Sequence, residues 1–535
     1  MKKILVIGCG ASGLSAIKAC LDEGLEPVCL ERTDDEGGLW NYQEQIRDDQ
    51  GTVMKSTIIN TSKEMMSYSN YPMPAEYPNF THNSQVMEYL RSYKTNFGLQ
   101  NYIQYNKEAM LVKQASDFES TGRWDVKIVD HKTGSEEQVQ FDGVLVCTGH
   151  HAKKNIPEFP GQDVFKGKVM HSQDFKHAKG WEDKNAVVIG IGNSGVDTAN
   201  ELSRVANKVF ISTRRGTWLI PRNMDNGLPF DIARTTRMTN WVNQNMPIAI
   251  STGLVENELN KMYDHKLYRL MPTHRFNAQH PNMSSDLPMN ISTGRVVIKG
   301  DIKRLTKTGV EFKDGSSVDD ISLIVLATGY KIGFPFIDKS VIDVKDNKVE
   351  LFKYMYPPDQ KKHTLAIIGG IQPLGAVMPI SELQCRLATR VIKGLKTLPS
   401  REDMWSDIRK KQDAMSSRYV NSQRHTIQVD YVDFMDQIAE LVGCKPNLWW
   451  YLLTDPVFAF KCYFGPCTPY QYRLQGPGKW AGAKEACEKT MDRVRKPFET
   501  RPLPEGLDSG ASWTSAKMLC LYVVLFAFLL KFFLL

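Results

Sequence analysis

The chain has 535 residues, enough for two or three domains with a sizeable core. Apolar residues make up 42% and charged residues 24%, which excludes a disordered chain, and a formal charge of +7 with no Lys/Arg run interleaved with aromatics excludes a nucleic-acid groove. The ten cysteines contain no Cys-x-x-Cys pair, which excludes a dithiol redox centre and fits a reducing compartment.

From Lys3 to Glu31 an apolar run, a glycine turn, an amphipathic helix and a second apolar run predict a strand-helix-strand unit with parallel strands. Gly8-Cys9-Gly10-Ala11-Ser12-Gly13 follows the strand Ile4–Ile7 and opens a helix near Ser12. The first glycine permits the tight turn, the second lets backbone N–H groups approach a pyrophosphate, and the third lets helix and strand pack closely. The helix amino terminus adds partial positive charge. Glu31 ends the second strand 18 residues after Gly13, where a carboxylate accepts from ribose hydroxyls and repels a 2'-phosphate. This unit is therefore expected to hold FAD or NAD, and not NADP.

The sheet is expected to resume at Gly143–Cys147, before Thr148-Gly149. After Pro157 and Pro160 the segment Asn185–Ser212 repeats the strand, glycine turn, helix and strand order, so a second nucleotide unit is nested in the first. Gly190-Ile191-Gly192-Asn193-Ser194-Gly195 follows the strand Ala186–Ile189, but the next strand ends in Ser212-Thr213-Arg214-Arg215 instead of an acid. A guanidinium beside hydroxyls pairs with a 2'-phosphate, so this unit is expected to prefer NADPH; the alternative is two solvated surface arginines. A further run, Leu323–Ala327, ends in Thr328-Gly329-Tyr330 and matches the earlier return to the first domain.

Residues 216 to about 290, rich in Trp, Met and Pro, read as helices and loops packed on the NADPH domain. Pro379–Lys393 and Arg401–Met415 predict helices. Leu448–Cys467 is aromatic and apolar but broken at Asp455-Pro456, too broken to span a bilayer. A surface resting on lipid, a substrate channel and ordinary core packing all stay open for it. Met518–Leu535 is 18 residues with one charge, Lys531, and as a helix would reach roughly 27 Å, about the hydrocarbon thickness of the endoplasmic reticulum membrane.

The expected architecture is α/β: two nested Rossmann-type dinucleotide-binding domains, a helical insertion and a C-terminal membrane-anchoring helix. The boundaries are 1–150 for the first part of the FAD domain, 151–330 for the NADPH domain with its insertion, and 331–445 for the return. An aromatic membrane-proximal or substrate-channel region covers 446–510, and the anchor 511–535.

Between the two glycine turns, Phe165-x-Gly167-x-x-x-His171-x-x-x-Phe175 closely resembles the identifying motif of the flavin-containing monooxygenases. Glu31-Arg32, Gly37-Gly38-Leu39-Trp40, Asn60-Thr61-Ser62-Lys63-Glu64-Met65 and Leu326-Ala327-Thr328-Gly329-Tyr330 resemble other landmarks of the family, and the length and tail resemble its animal microsomal members. The resemblance implies that NADPH reduces FAD, that oxygen adds to give a C4a-hydroperoxyflavin, and that a soft nitrogen or sulfur nucleophile of a lipophilic substrate takes the distal oxygen. This agrees with the lack of a nucleophile-base pair and of any expected metal ligand, because the cofactor performs the hard chemistry.

By the same matching Asn60 is the candidate catalytic residue, holding NADP and the intermediate. Thr61 would stand beside it, Leu39 and Trp40 would flank FAD, and Ser194, Gly195, Val196 and Asp197 would line NADP. Each has a bland alternative. Thr61-x-x-Glu64 reads as a capping box that only starts a helix, Trp40 as a core aromatic, Asp197 as a local cap or pair, and His171 as a structural linker. Cys147-Thr148-Gly149-His150 and Cys385-Arg386-Leu387 depart from the family's usual residues and bear on substrate preference. The implied partners are O2, lipophilic amines or sulfides and membrane lipid through the tail, with the body on the cytosolic face of the endoplasmic reticulum. A homo-oligomer stays open. On the same scaffold the alternatives are a Baeyer-Villiger ketone monooxygenase and an NADPH oxidase releasing hydrogen peroxide.

Overall fold

A computed structural model describes residues 1–504 apart from 46, 48, 225, 421–425 and 503, so the expected anchor at 511–535 lies outside the described residues. Among the described residues no helix is long and apolar enough to cross a membrane.

Two five-stranded parallel sheets carry the fold. The first runs in the order Leu365–Ile367, Gly143–Val146, Lys3–Ile7, Glu26–Glu31, Ile103–Tyr105. From the strand Lys3–Ile7 the chain builds outward on one side, then crosses to Gly143–Val146 on the other. That crossing is a topological switch point, where parallel sheets bind ligands beyond the carboxyl ends of their strands. Both faces are covered, as the alternation within the first strand shows: Ile4 and Val6 point into one core cluster, Leu5 and Ile7 into another. The helix Ala11–Asp22 lies on the Ile4 face and packs against the helix Val377–Lys393.

The second sheet runs Val296–Lys299, Lys208–Ser212, Asn185–Ile189, Ile321–Leu326, Lys168–His171, again all parallel. It has its own switch point beside Asn185–Ile189, and its own two cores, with Ala186 and Val188 on one face and Val187 and Ile189 on the other. The run Leu323–Ala327 therefore matches Gly143–Cys147 in role, not in sheet. It pairs with Asn185–Ile189 inside the second unit, and the first sheet is rejoined only at Leu365–Ile367.

The family-like motif between the glycine turns fastens the edge strand Lys168–His171. Phe165 and Phe175 are buried in the cores on opposite faces of the second sheet. A Cβ on Gly167 would stand 2.5 Å from the Phe165 ring and 2.9 Å from Ile321 O, so only glycine lets that ring fold over the backbone. His171 Nδ1 accepts from Gln173 N at 3.1 Å, which leaves Nε2–H to donate to Gly329 O, also at 3.1 Å. Burial pushes this imidazole below its usual value. The motif is a latch between two crossings of the chain.

The insertion contains the helices Phe230–Arg234, Arg237–Asn245, Ile248–Met262 and Leu287–Ser292. It does more than pack on the NADPH unit. Arg237 is buried and pairs with Asp436 at 2.7 Å and Gln471 at 2.8 Å, tying the insertion to the C-terminal third of the chain.

Candidate active site: two nucleotide cradles joined by the insertion

Each cradle sits where its sheet switches direction. Gly8 has φ +96°, and a Cβ there would stand 2.9 Å from Cys147 O; one on Gly13 would stand 1.9 Å from Gly8 O. These are the tight turn and the close helix–strand approach expected of the first and third glycines. A Cβ on Gly10 would stand 3.6 Å from Gly38 Cα, an ordinary contact, so at this point the phosphate loop runs beside the Gly37-Gly38 turn. Ala11 and Ser12 open the helix itself.

Glu31 is buried and does part of its work on the protein. One carboxylate oxygen accepts from Cys9 N at 2.8 Å, the other from Thr33 N and Thr33 Oγ1, both at 2.9 Å, so the acid pins the phosphate loop. The Cys9 side chain is buried. Leu39 and Trp40 occupy the single turn Gly38–Trp40 beside this loop; Leu39 is exposed, and Trp40 is half-buried against the core, so the core-aromatic alternative holds for much of its surface.

The second cradle repeats the geometry. Gly190 has φ +108° with a prospective Cβ 2.4 Å from Ala327 O, and one on Gly195 would stand 2.1 Å from Gly190 O. Gly192 is the cap of the helix Asn193–Leu202, whose Ser194 is exposed at the first turn. The Val196 side chain is fully buried among Ala199, Leu202 and Val209, so it supports the helix and presents no side-chain contact to a cofactor. Thr213 Oγ1 accepts from Gly216 N at 3.2 Å and shapes the turn after the strand. Arg214 and Arg215 stand exposed there, with no ion pair among the described residues.

Asn60 and Thr61 lie in an irregular stretch before the short helix Lys63–Met66. The capping box does not form: Ser62 is the cap and makes no side-chain cap bond, while the Glu64 carboxylate, fully buried, takes Arg493 Nε at 3.0 Å and Tyr470 Oη at 2.7 Å. A buried charge with a distant guanidinium partner outcompetes the local N–H.

The insertion holds this stretch. Arg222 Nη2 donates to Asn60 Oδ1 at 3.1 Å and lies 3.8 Å from Asp197 Oδ1, so one guanidinium joins the candidate catalytic asparagine to the NADPH helix. Asp197 thus pairs across the domain and not locally. Asp231 Oδ2 accepts from Ser62 N at 2.6 Å. Arg222 Nε is buried with no hydrogen-bond partner among the described residues, which leaves one donor of this guanidinium for a ligand. Arg222 and Asp231 carry no contiguous motif, and sequence reasoning missed both.

Burial raises the carboxyls of Asp197 and Asp231 from 3.8 to about 6 each, with Arg222 opposing the rise at Asp197 and the Ser62 N–H opposing it at Asp231. A carboxyl raised in the fold adds stability that is fully present below pH 3.8 and lost as pH rises through about 6. For Asp231 the loss is about 3 kcal/mol. Asp231→Asn removes that ionisation and keeps an acceptor for Ser62 N–H. The variant's melting temperature relative to the native protein is expected to climb between pH 4 and 6 and then level off; parallel melting curves across that range would refute the assignment.

Two sheets with a phosphate cradle at each switch point, one closed by an acid and the other by two arginines, define a two-nucleotide flavin oxidoreductase. A model of the family described as flavin-binding monooxygenase-like matches residues 1–533, and the chain belongs to that family. It is a flavin-dependent monooxygenase with FAD and NADPH as cofactors. It is 51% identical over 99% of both chains to rat flavin-containing monooxygenase 5, and 44% identical over 98% of both to guinea pig dimethylaniline monooxygenase (N-oxide-forming) 2. Among solved structures the fold is shared with the S-allyl-L-cysteine S-oxygenase of Allium sativum, at 23% identity and TM-score 0.63 over 92% of this chain and 99% of that one. A steroid monooxygenase bound to NADP follows at 17% identity and TM-score 0.62, over 83% and 98%.

Proposed function

We propose that this enzyme oxygenates soft nitrogen and sulfur nucleophiles of lipophilic compounds, using NADPH and O2, at the cytosolic face of the endoplasmic reticulum membrane. The observation that supports the reading is the Arg222 bridge, which links Asn60 to Asp197 on the helix of the second cradle. Bound FAD supplies the oxygen activation, and NADPH the two electrons for it.

The residues of the chain bind, orient and exclude water. The glycine loops and Glu31 seat FAD, while Arg214 and Arg215 select the phosphorylated dinucleotide. Asn60, with Thr61 beside it, would help hold the cofactors: Arg222 fixes its orientation by taking Oδ1 as acceptor, so that the Asn60 NH2 group is left as a donor. Asp231 holds the backbone of the same stretch from behind.

The membrane location rests on the apolar run Met518–Leu535 and on a second feature. The helices Leu448–Thr454 and Pro456–Phe464 bury Phe458 and Cys462 but leave Trp449 71%, Trp450 59%, Leu453 83% and Val457 64% exposed, an apolar face suited to lipid.

Purified full-length protein offered a thioether and an aliphatic ketone in parallel tests the reaction. Sulfoxide formed in step with NADPH consumption is expected. Ester as the main product would put the enzyme with the ketone monooxygenases, and NADPH consumption matched by hydrogen peroxide would make it an oxidase.

A further inference from the structure

Away from both cradles, a cavity of about 320 Å3 opens between the far half of the helix Ala11–Asp22, the helix Val377–Lys393 and the segment 473–480. Its charged lining is mostly basic: Lys18, Arg386, Arg390, Arg473 and Lys479. Three of these five cations have a carboxylate. Lys18 pairs with Asp22 at 2.6 Å, Arg390 with Glu23 at 2.7 Å, and Arg473 with the buried Glu382.

Arg386 and Lys479 have none within 4.0 Å among the described residues. Arg386 is buried; its guanidinium donates to the backbone carbonyls Tyr472 O at 3.2 Å and Pro477 O at 2.8 Å, and lies beside the Cys444 thiol. Burial and the neighbouring Arg473 push its guanidinium down to about 10, so it stays charged at neutral pH and carries that cost in the fold. The two carboxylates of the lining, Asp22 and Glu23, are taken by Lys18 and Arg390, so a buried, oriented guanidinium with an ammonium at the rim leaves the cavity with an excess of positive charge.

We propose that this cavity is a phosphate-binding site, filled by the phosphoryl group of a small phosphate or of a lipid headgroup. A tetrahedral oxyanion accepts from several directions at once, which suits a fixed guanidinium fork and a mobile Lys479 approaching from different walls. The site is built against the flavin unit. Ser15, on the helix that opens at the first cradle, touches Cys385 at 3.5 Å, one residue before Arg386. An occupied site clamps that helix to its neighbour and to the segment 473–480, stabilising the FAD domain. On its other side Trp480 lines the cavity and packs against the cluster of Phe458, Cys462, Leu474 and Ala483, against which Leu448 and Tyr451 of the exposed aromatic helix also pack. Through that shared cluster the cavity adjoins the apolar face proposed to rest on lipid, the side from which a phospholipid headgroup would enter.

The test uses the FAD-loaded full chain with saturating NADP, so that the second cradle's own phosphate subsite is filled. Melting is followed by flavin fluorescence at constant ionic strength. One arm titrates inorganic phosphate against chloride; the other compares phosphatidylcholine vesicles with vesicles that also contain phosphatidic acid. A saturable rise of a few degrees is expected. Arg386→Gln and Lys479→Gln should each weaken the response at least about tenfold, the worth of one charge-assisted bond. Lys479 is exposed, so its variant keeps the fold even where Arg386→Gln does not. A response to inorganic phosphate assigns a free phosphate, and a response confined to phosphatidic acid assigns the headgroup. No rise with either probe, or a Lys479→Gln protein that responds as the native one does, overturns the site.

Discussion

Gly13→Ala protein is expected to purify without flavin. The added methyl would stand 1.9 Å from Gly8 O and 2.9 Å from Gly8 C, and both are backbone atoms of the turn it must pass. The turn cannot yield cheaply. Gly8 has φ +96° and is itself blocked by Cys147 O, while its N–H is tied to Leu30 O at 2.8 Å. The helix has to slide away from the strand instead, and the N–H groups at its amino terminus leave the pyrophosphate. Overpacking of this kind costs about 1–3 kcal/mol against side chains that can move, and the atoms met here are backbone, so a loss of about 100-fold in FAD affinity, the upper end of that range, is expected. The ratio of flavin absorbance to protein, measured after gel filtration, checks it. A variant with full flavin and native melting would show that the third glycine is not needed for close approach.

Much of this cradle was legible because its signal is local. A strand, three glycines, a helix and an acid lie within 29 residues from Lys3 to Glu31, and each glycine's duty follows from backbone sterics alone. The same holds for the second loop and the arginines after it. What was not legible depends on contacts across long stretches of chain. Arg222 reaches Asn60 across 162 positions, and Asp231 reaches Ser62 across 169, from an insertion with no hydrophobic period to fix its helices. Thr61-x-x-Glu64 has the spacing of a cap, yet Arg493, 429 positions away, takes the carboxylate. Val196 lies in the first turn of the expected helix with its side chain in the core, since position in a motif does not say which side of a helix a residue occupies. The run Leu323–Ala327 resembles Gly143–Cys147 because both close a parallel sheet beside a glycine turn; sequence pattern carries the role and not which sheet is closed. The aromatic stretch 448–467 divides its residues between core and surface, which composition alone cannot apportion.

Removing the two arginines together, Arg214→Ala with Arg215→Ala, separates the two cofactor units in function. Both side chains are exposed and free of protein carboxylates among the described residues, so their loss disturbs no ion pair and the fold should keep its melting temperature. One charge-assisted bond to a phosphate contributes about 1.5–3 kcal/mol, so KM for NADPH is expected to rise roughly 10- to 100-fold. KM for NADH, which has no 2'-phosphate, should change little, and FAD content not at all, because Glu31 and the first glycine loop are untouched. The alternative of two solvated surface arginines makes the opposite forecast: both dinucleotides would be affected equally or not at all. Steady-state NADPH and NADH oxidation by the same preparation decides between them. A rise confined to NADPH would also show that the acid at one strand end and the guanidinium groups at the other are what tell two otherwise equivalent glycine cradles apart.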